Sequence, residues 1–333
     1  MTEIIPGIYQ IKTPLPSKDI LFGYVNAYAV QGEKGYLLVD AGLNTEEAFN
    51  SLEEQLADIG IEAKDISQIV VTHIHPDHYG LAGRLKQISG AKIAMHHLEK
   101  KLIDSRYVHM NALLRQVANW LHINGVPDAL LPELQAASVG IAKFVAPAKP
   151  DIILHGGETI SNGLFSFEVL WTAGHSPGHI SLYEPNRKML ISGDHILPTI
   201  TPNIGLHPQS GDNPLDDYLD ALNAVKQLDV KIVLPGHENP FTGLKSRIDE
   251  LFKHHKQRKS EILNSIKTGH KTACQIATEI PWMLDMGGAR WEDLTSRDKR
   301  LAVLETAAHL ESLRVDGKIS KFSRDGIMYY QSI

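Results

Sequence analysis

Apolar and polar positions alternate along the first part of the chain over lengths suited to short strands. Residues 8–11, 24–30 and 35–40 read this way, with Pro14, Pro16 and the Gln31-Gly32 pair marking the turns between them. An acidic stretch from about 45 to 58 carries its apolar residues at helical spacing, and Thr45 stands where its hydroxyl can cap the first turn. The β-branched run 68–72 predicts a buried strand whose C-terminal end delivers the residues that follow, and helix resumes near Gly80. An order of strand, loaded loop and helix puts functional groups at the carboxyl end of a strand, as layered α/β folds do.

From about 97 to 143 the period is helical and no strand signal occurs, which predicts a helical insertion. Leu113, Val117, Trp120 and Leu121 share one face there, and Asn124-Gly125 followed by Pro127 ends the helix. Strands are expected again at 165–171, 179–183, 188–192 and 231–234, with a helix at 214–228. After Gly243 the spacing becomes mostly helical, with further helices at 272–279 and 297–315. Asp325-Gly326 then predicts a hairpin between 318–322 and 327–331. Three helices and a hairpin predict a winged-helix domain over 244–333, behind a first domain over 1–243.

Composition narrows the setting. At 333 residues the chain exceeds one comfortable core, and 43% hydrophobic with 22% charged residues describes an ordinary folded protein. No apolar run approaches the roughly 20 residues of a membrane span, and the start MTEIIPGIYQ lacks the basic and apolar segments of a leader, so a cytoplasmic location is expected. The single cysteine, Cys274, excludes an internal disulfide and a cysteine-rich zinc site. Any metal must then be held by imidazoles and carboxylates. The net charge of −6 divides into −10 over 1–244 and +4 over the remainder, which argues against non-specific binding of polyanions.

One segment concentrates such donors. His73-Ile74-His75-Pro76-Asp77-His78 offers three imidazoles and a carboxylate within six residues, directly after an apolar strand. A regular helix could not aim all of them inward, so a tight loop is expected, with Pro76 helping to hold it. Three distant groups each sit in a glycine-bearing turn at a strand end: His175 after Gly174, Asp194 after Gly193, and His237 after Gly236. With 17 histidines in the chain, most are surface or core residues, and it is the combination in this order that points to a metal site. The donor types suit zinc, with iron or manganese as alternatives.

In these residues the chain resembles the metallo-β-lactamase fold superfamily, whose members carry THxHxDH, a later His, a bridging Asp and a final His. The resemblance covers residues from about 4 to 240. It implies an α/β four-layer αββα sandwich and two divalent metal ions per chain. His73, His75 and His175 would hold the first ion, Asp77, His78 and His237 the second, with Asp194 bridging. Val39-Asp40-Ala41-Gly42 matches the family's first motif and implies that Asp40 supports the metal loop. Asp77 is the candidate catalytic group, able to orient a water nucleophile or shuttle its proton. His75 stands where flavodiiron proteins have Glu, and 43 positions from Asp194 to His237 leave no room for the inserted domain of β-CASP nucleases. No counterpart of the glutathione-binding helices of glyoxalase II is visible. Within the superfamily the lactamase-β-2-like group, with a winged helix behind the catalytic domain, is the one the tail 237–263 and the TACQIA segment resemble.

These readings predict a hydrolase of an ester, thioester, lactone or phosphoester of a small molecule. Two alternatives stay open: a metal-dependent ribonuclease or nucleic-acid phosphodiesterase, and an enzyme like the mononuclear iron persulfide dioxygenases. The basic run 253–259 is expected to be a solvated helix face rather than a nucleic-acid contact, and Val303, Ala307 and Leu310 are expected in the core. Tyr107, His109, Arg115 and Trp120 in the insertion, and Asn203, Gly205 and His207 after Asp194, are candidates for lining a substrate pocket. His179 and His195 are expected to support ligands, and Ser176 lacks the base a nucleophile needs. The C-terminal domain could shape the active site or make a homodimer.

Overall fold

Successive residues of a strand face opposite ways, and the segment leading to the histidine cluster uses both faces. Ile69 and Val71 enter one core while Val70 enters another. The computed structural model describes residues 1–16, 23–137, 143–283 and 287–333, so positions 138–142 of the expected insertion lie outside the described residues.

The first sheet has seven strands in chain order: β1 (Thr2–Ile5), β2 (Ile8–Pro14), β3 (Tyr24–Gln31), β4 (Tyr36–Val39), β5 (Ile66–Val70), β6 (Lys92–His96) and β7 (Ile152–Leu154). Pairing is antiparallel from β1 to β4 and parallel from β4 to β7. The second sheet comprises β8 (Thr159–Ser161), β9 (Ser166–Trp171), β10 (Ile180–Glu184), β11 (Met189–Gly193) and β12 (Ile232–Pro235). Its β9, β11 and β12 run the same way, because β10 is antiparallel to both β9 and β11 while β12 is parallel to β11.

Val39, Val70 and Ala94 of the first sheet pack against Val169, Leu182 and Ile191 of the second. Helices α1 (Glu46–Ala57), capped by Thr45, and α3 (Ala82–Ser89) cover the outer face of the first sheet; between them in the chain lies the single turn α2 (Pro76–Tyr79). Four helices come next: α4 (His97–Ile103), α5 (Met110–Ile123), α6 (Leu131–Ala136) and α7 (Pro214–Lys226). The last of these, with α8 (Leu244–Ser265), covers the outer face of the second sheet, so the layers run αββα. The chain closes with α9 (Ala273–Glu279), α10 (Ser296–Val315) and a sheet in the order β13 (His270–Lys271), β15 (Ile327–Ser332), β14 (Ile319–Arg324).

The pattern of the sequence missed β1, β6, β7, β8 and β13. All are two to five residues long, too short to show alternation. The insertion also differs in kind from an independent lid. Val117, Leu121 and Leu134 share a single buried cluster with Ile262, Ile276, Leu304 and other residues of the C-terminal helices. The amide of Cys274 bonds the carbonyl of Asn124, and Gly125, at φ +85°, comes so near that an added Cβ would lie 2.2 Å from Thr272 Oγ1.

Leu121 is fully buried in that joint cluster. Leu121→Ala is expected to lower stability by about 2–5 kcal/mol, seen as a lower urea midpoint at unchanged denaturant slope.

Candidate metal centre

The functional side chains arrive on loops that leave strand ends. His73 and His75 follow β5, His175 follows β9, Asp194 follows β11 and His237 follows β12. Asp77 and His78 stand on the helical turn α2, where the sequence predicts an irregular loop. Pro76 occupies the first helical position, which needs no backbone donor, so the proline opens a turn there instead of excluding one.

All seven expected donors meet in one volume. Oδ2 of Asp194 lies 4.0 Å from His73 Nε2, 3.6 Å from His175 Nε2, and 3.4 Å from both His78 Nε2 and His237 Nε2. Asp77 Oδ2 is 3.4 Å from His237 Nε2 and 3.9 Å from His78 Nε2. His75 Nδ1 lies 3.0 Å from His73 Nε2 and 2.9 Å from His175 Nε2. Three groups therefore present donor atoms within 4.8 Å of one another: His73, His75 and His175; His73, His78 and Asp194; Asp77, His78 and His237.

Hydrogen bonds on the far side of each ring fix which nitrogen faces inward. Asp40 accepts from the Thr72 amide at 2.8 Å, from the Thr72 hydroxyl at 2.8 Å and from His78 Nδ1 at 2.8 Å. The Thr72 hydroxyl, its proton given to Asp40, accepts from His73 Nδ1 at 3.0 Å. His175 Nδ1 donates to the Asn203 carbonyl at 3.0 Å, and His237 Nδ1 faces the Tyr24 carbonyl at 3.4 Å. The inward Nε2 atoms of His73, His78 and His175 thus carry lone pairs. His75 Nδ1 can donate to only one of its two nitrogen neighbours, which leaves the trio one cation short. His78 Nε2 and Asp194 Oδ1 are buried with no hydrogen-bond partner. A divalent metal ion satisfies each of these atoms, and the residues fit one on chemistry as well as position.

The electrostatics agree. Burial holds His73, His75 and His175 below the ordinary imidazole range, which keeps them neutral. Burial opposes charge on His237 too, but Asp194 and Asp77 outweigh it and push it up to about 10; His78 is raised by Asp194, Asp40 and Asp77 against the same opposition. Burial likewise works against the charge on Asp194 and Asp77, yet neighbouring histidines hold both carboxyls low. A proton and a metal ion compete for the same Nε2 positions.

Several supporting residues carry no local sequence signal. Buried Glu99, from the start of the insertion, accepts from the Ile74 amide at 2.8 Å and from the Gly178 amide at 2.6 Å, tying the first metal loop to the His175 loop. Asn26 donates to the carbonyls of Pro235 and Glu238, and Tyr28 donates to Pro235, which anchors the His237 loop across the sheets. His179 supports a ligand as expected, since its Nε2 accepts from the Asp194 amide at 3.1 Å. His195 is buried against Tyr218 and meets none of the donors.

His75, Asp77, His175, Asp194 and His237 form one wall of a cavity of about 490 Å³. The segment before α5, α5 itself, the loop after Asp194, α8 and α10 form most of the rest, including Tyr107, Trp120, Asn203, Gly205 and His207. His109 and Arg115 do not line it. The basic run 253–259 does not make one exposed face, because His255 and Arg258 turn inward; Val303, Ala307 and Leu310 are fully buried.

Comparison with known proteins gives the same picture. The family described as "Metallo-beta-lactamase superfamily" matches residues 20–237. A Bacillus subtilis (strain 168) protein described as a probable metallo-hydrolase is 28% identical, over 98% of this chain and 98% of its own. A Homo sapiens acyl-coenzyme A thioesterase is 30% identical, over 65% of this chain and 74% of its own. The solved structure of a metallo-beta-lactamase family protein from Thermus thermophilus superposes with a TM-score of 0.81 at 29% identity, covering 99% of this chain and 100% of that one.

Gly236 tests the packing of the centre. A Cβ there would meet Asp194 Oδ1 at 2.3 Å and His78 Cε1 at 2.7 Å. Gly236→Ala is expected to reduce bound metal per chain by about half or more at unchanged circular dichroism, because outer support of this kind is worth roughly 10–100-fold in metal affinity. Full metal content in the variant would refute that packing.

Proposed function

The chain belongs to the metallo-beta-lactamase superfamily, and from that premise we propose that it is a two-metal hydrolase of acyl esters of small molecules, thioesters foremost. The observation that carries the reading is a cluster of seven donors, five of which form one wall of a largely apolar cavity of about 490 Å³. The named activity of the human relative supports the thioester. Residues 1–243 are read as the catalytic domain and 244–333 as a winged-helix-like domain that closes the cavity.

His73, His75 and His175 would hold one divalent ion and Asp77, His78 and His237 the other, with Asp194 shared; zinc suits the donors best, with iron or manganese as alternatives. When bound, the pair lowers the pKa of water and polarises the carbonyl that water attacks. Hydrolysis joins a water oxygen to the acyl carbon, breaks the carbon–sulfur or carbon–oxygen bond, and passes one proton to the departing thiol or alcohol. Asp77 would carry that proton. Its Oδ2 is engaged with His237 while the residue also faces the cavity, so Oδ1 is the atom to accept from the attacking water and return the proton to the leaving group. Apolar side chains such as Leu113, Leu114 and Val117 on α5 exclude water and take the acyl chain.

Removal of metal with a chelator is expected to abolish thioester and ester hydrolysis, with two equivalents of divalent ion restoring it. Activity on RNA or persulfide under the same conditions, without activity on acyl esters, would overturn the reading. Asp77→Asn is expected to lower kcat by about 10²–10⁴-fold while metal content falls far less. Metal content and rate falling in equal proportion would remove the proton-transfer role.

A further inference from the structure

Two buried arginines in this fold are held by carbonyls and carboxylates. Arg247 donates to the carbonyls of Leu197, Thr199 and Ile200 and to Glu250. Arg258 donates to Glu261 and the Pro281 carbonyl and lies over the Trp282 ring. Arg300, half-buried on the first turns of α10, differs: like Arg258 it lines the cavity with a buried Nε that has no hydrogen-bond partner, but no carboxylate or carbonyl among the described residues holds its guanidinium.

The cavity offers it no carboxylate among the described residues. Asp77 and Asp194 belong to the metal centre, Asp298 accepts from Thr295, and Glu305 accepts from Asn203 and faces Arg258 at 3.7 Å. A second guanidinium stands near instead. Arg106 lines the same cavity and is steered by Gln209, which accepts from its Nε at 2.8 Å and is itself held by Ser105 at 2.8 Å. His207 is close enough to both arginines that burial and their charges push its pKa down to about 3. Its Nδ1 accepts from the Gln209 amide at 3.1 Å, so the neutral ring carries its proton on Nε2. Burial, Arg297 and Arg106 likewise lower Arg300 to about 10. Like charges gathered in a partly apolar cavity cost free energy unless an anion completes them.

We propose that Arg300 and Arg106, with His207 beside them, form an anion subsite that binds a carboxylate or phosphate carried by the substrate away from its scissile bond. The assignment rests on the acyl-hydrolysis reading and deepens it: the substrate is an anionic acyl ester or thioester whose apolar part lies along α5. Arg106 also feels the metal wall, since its charge is among those acting on His75. The anion therefore sits within the same cavity as the scissile carbonyl and serves to orient it.

The test compares matched pairs on the metal-loaded protein. Succinyl and butyryl thioesters of one neutral thiol place the charge on the acyl half. Butyryl-pantetheine 4′-phosphate and butyryl-pantetheine place it on the leaving half. One pair is expected to show a preference of about tenfold or more in kcat/KM for the charged member, expressed mainly in KM. Arg300→Gln and Arg106→Gln should each collapse that ratio toward unity, and Arg300→Lys should keep part of it. An unchanged ratio in both glutamine variants, or no preference in either pair, overturns the subsite. If no thioester is cleaved, calorimetric titration with pantetheine 4′-phosphate and pantetheine, and with succinate and butyrate, still decides it. Tighter binding of a charged probe that is lost in Arg300→Gln upholds the subsite while the hydrolase reading fails; equal binding refutes the subsite.

Discussion

One carboxylate oxygen organises the catalytic half of the molecule. Asp194 Oδ2 lies 4.0 Å or less from imidazole nitrogens of His73, His78, His175 and His237, which arrive on three other loops. Gathering that many polar atoms out of water is costly unless each lone pair and proton is matched. The fold meets this constraint from outside inward. Asp40 and Thr72 fix the rings of His73 and His78, the Asn203 carbonyl fixes His175, and His179 fixes the backbone of Asp194 itself. What is left over is a set of inward lone pairs that a cation completes. The capacity to hold a cation is thus written in the hydrogen bonds behind the donors as much as in the donors.

That division explains what the sequence disclosed. The seven donors are legible because four of them crowd into His73–His78 and the others follow glycine turns at strand ends, a pattern that survives without knowledge of the fold. The αββα layering follows only from the resemblance those donors carry; the pattern itself shows α/β elements such as the helix capped by Thr45. Glu99 is not legible. Its neighbours Lys100 and Lys101 make it look like one charge on a solvated helix, and only the tertiary fold lays it beneath Ile74 and Gly178. Short strands such as Ile152–Leu154 and Thr159–Ser161 are illegible because three residues hold no period.

The pocket belongs to a different part of the chain from the metal centre. Its far walls come from α5 and α10, and these two helices contribute to the same buried cluster although nearly two hundred residues of sequence separate them. Sequence reading treats the insertion and the tail as separate additions. Packing joins them, because Val117 and Leu121 of the insertion belong to the same buried cluster as Ala307 and Leu310 of α10. A change in either helix therefore reshapes the pocket through a shared core, while the clusters beneath the metal loops lie apart from it.

This separation has a consequence for how specificity is built. Metal ligands tolerate little displacement, since Gly236 and Gly193 already bring backbone to within an added Cβ's reach of Asp194 and His179. On the pocket walls the loop from Pro202 to Gln209 touches α10 through the Leu206–Leu304 backbone bond, the Asn203 side chain and Gly205, where an added Cβ would lie 3.0 Å from Leu304 Cβ, and it touches Arg106 through Gln209. Side chains on these walls can be exchanged without disturbing the hydrogen bonds that set the ligand rings, apart from the single carbonyl that Asn203 lends to His175. The Asn203 carbonyl is thus one joint between the two parts, beside the Tyr107 hydroxyl, which donates to the Ile74 carbonyl. The Asn203 joint couples the position of the loop after Asp194 to the orientation of the His175 imidazole, so a shift of that loop reaches the donor cluster through one hydrogen bond.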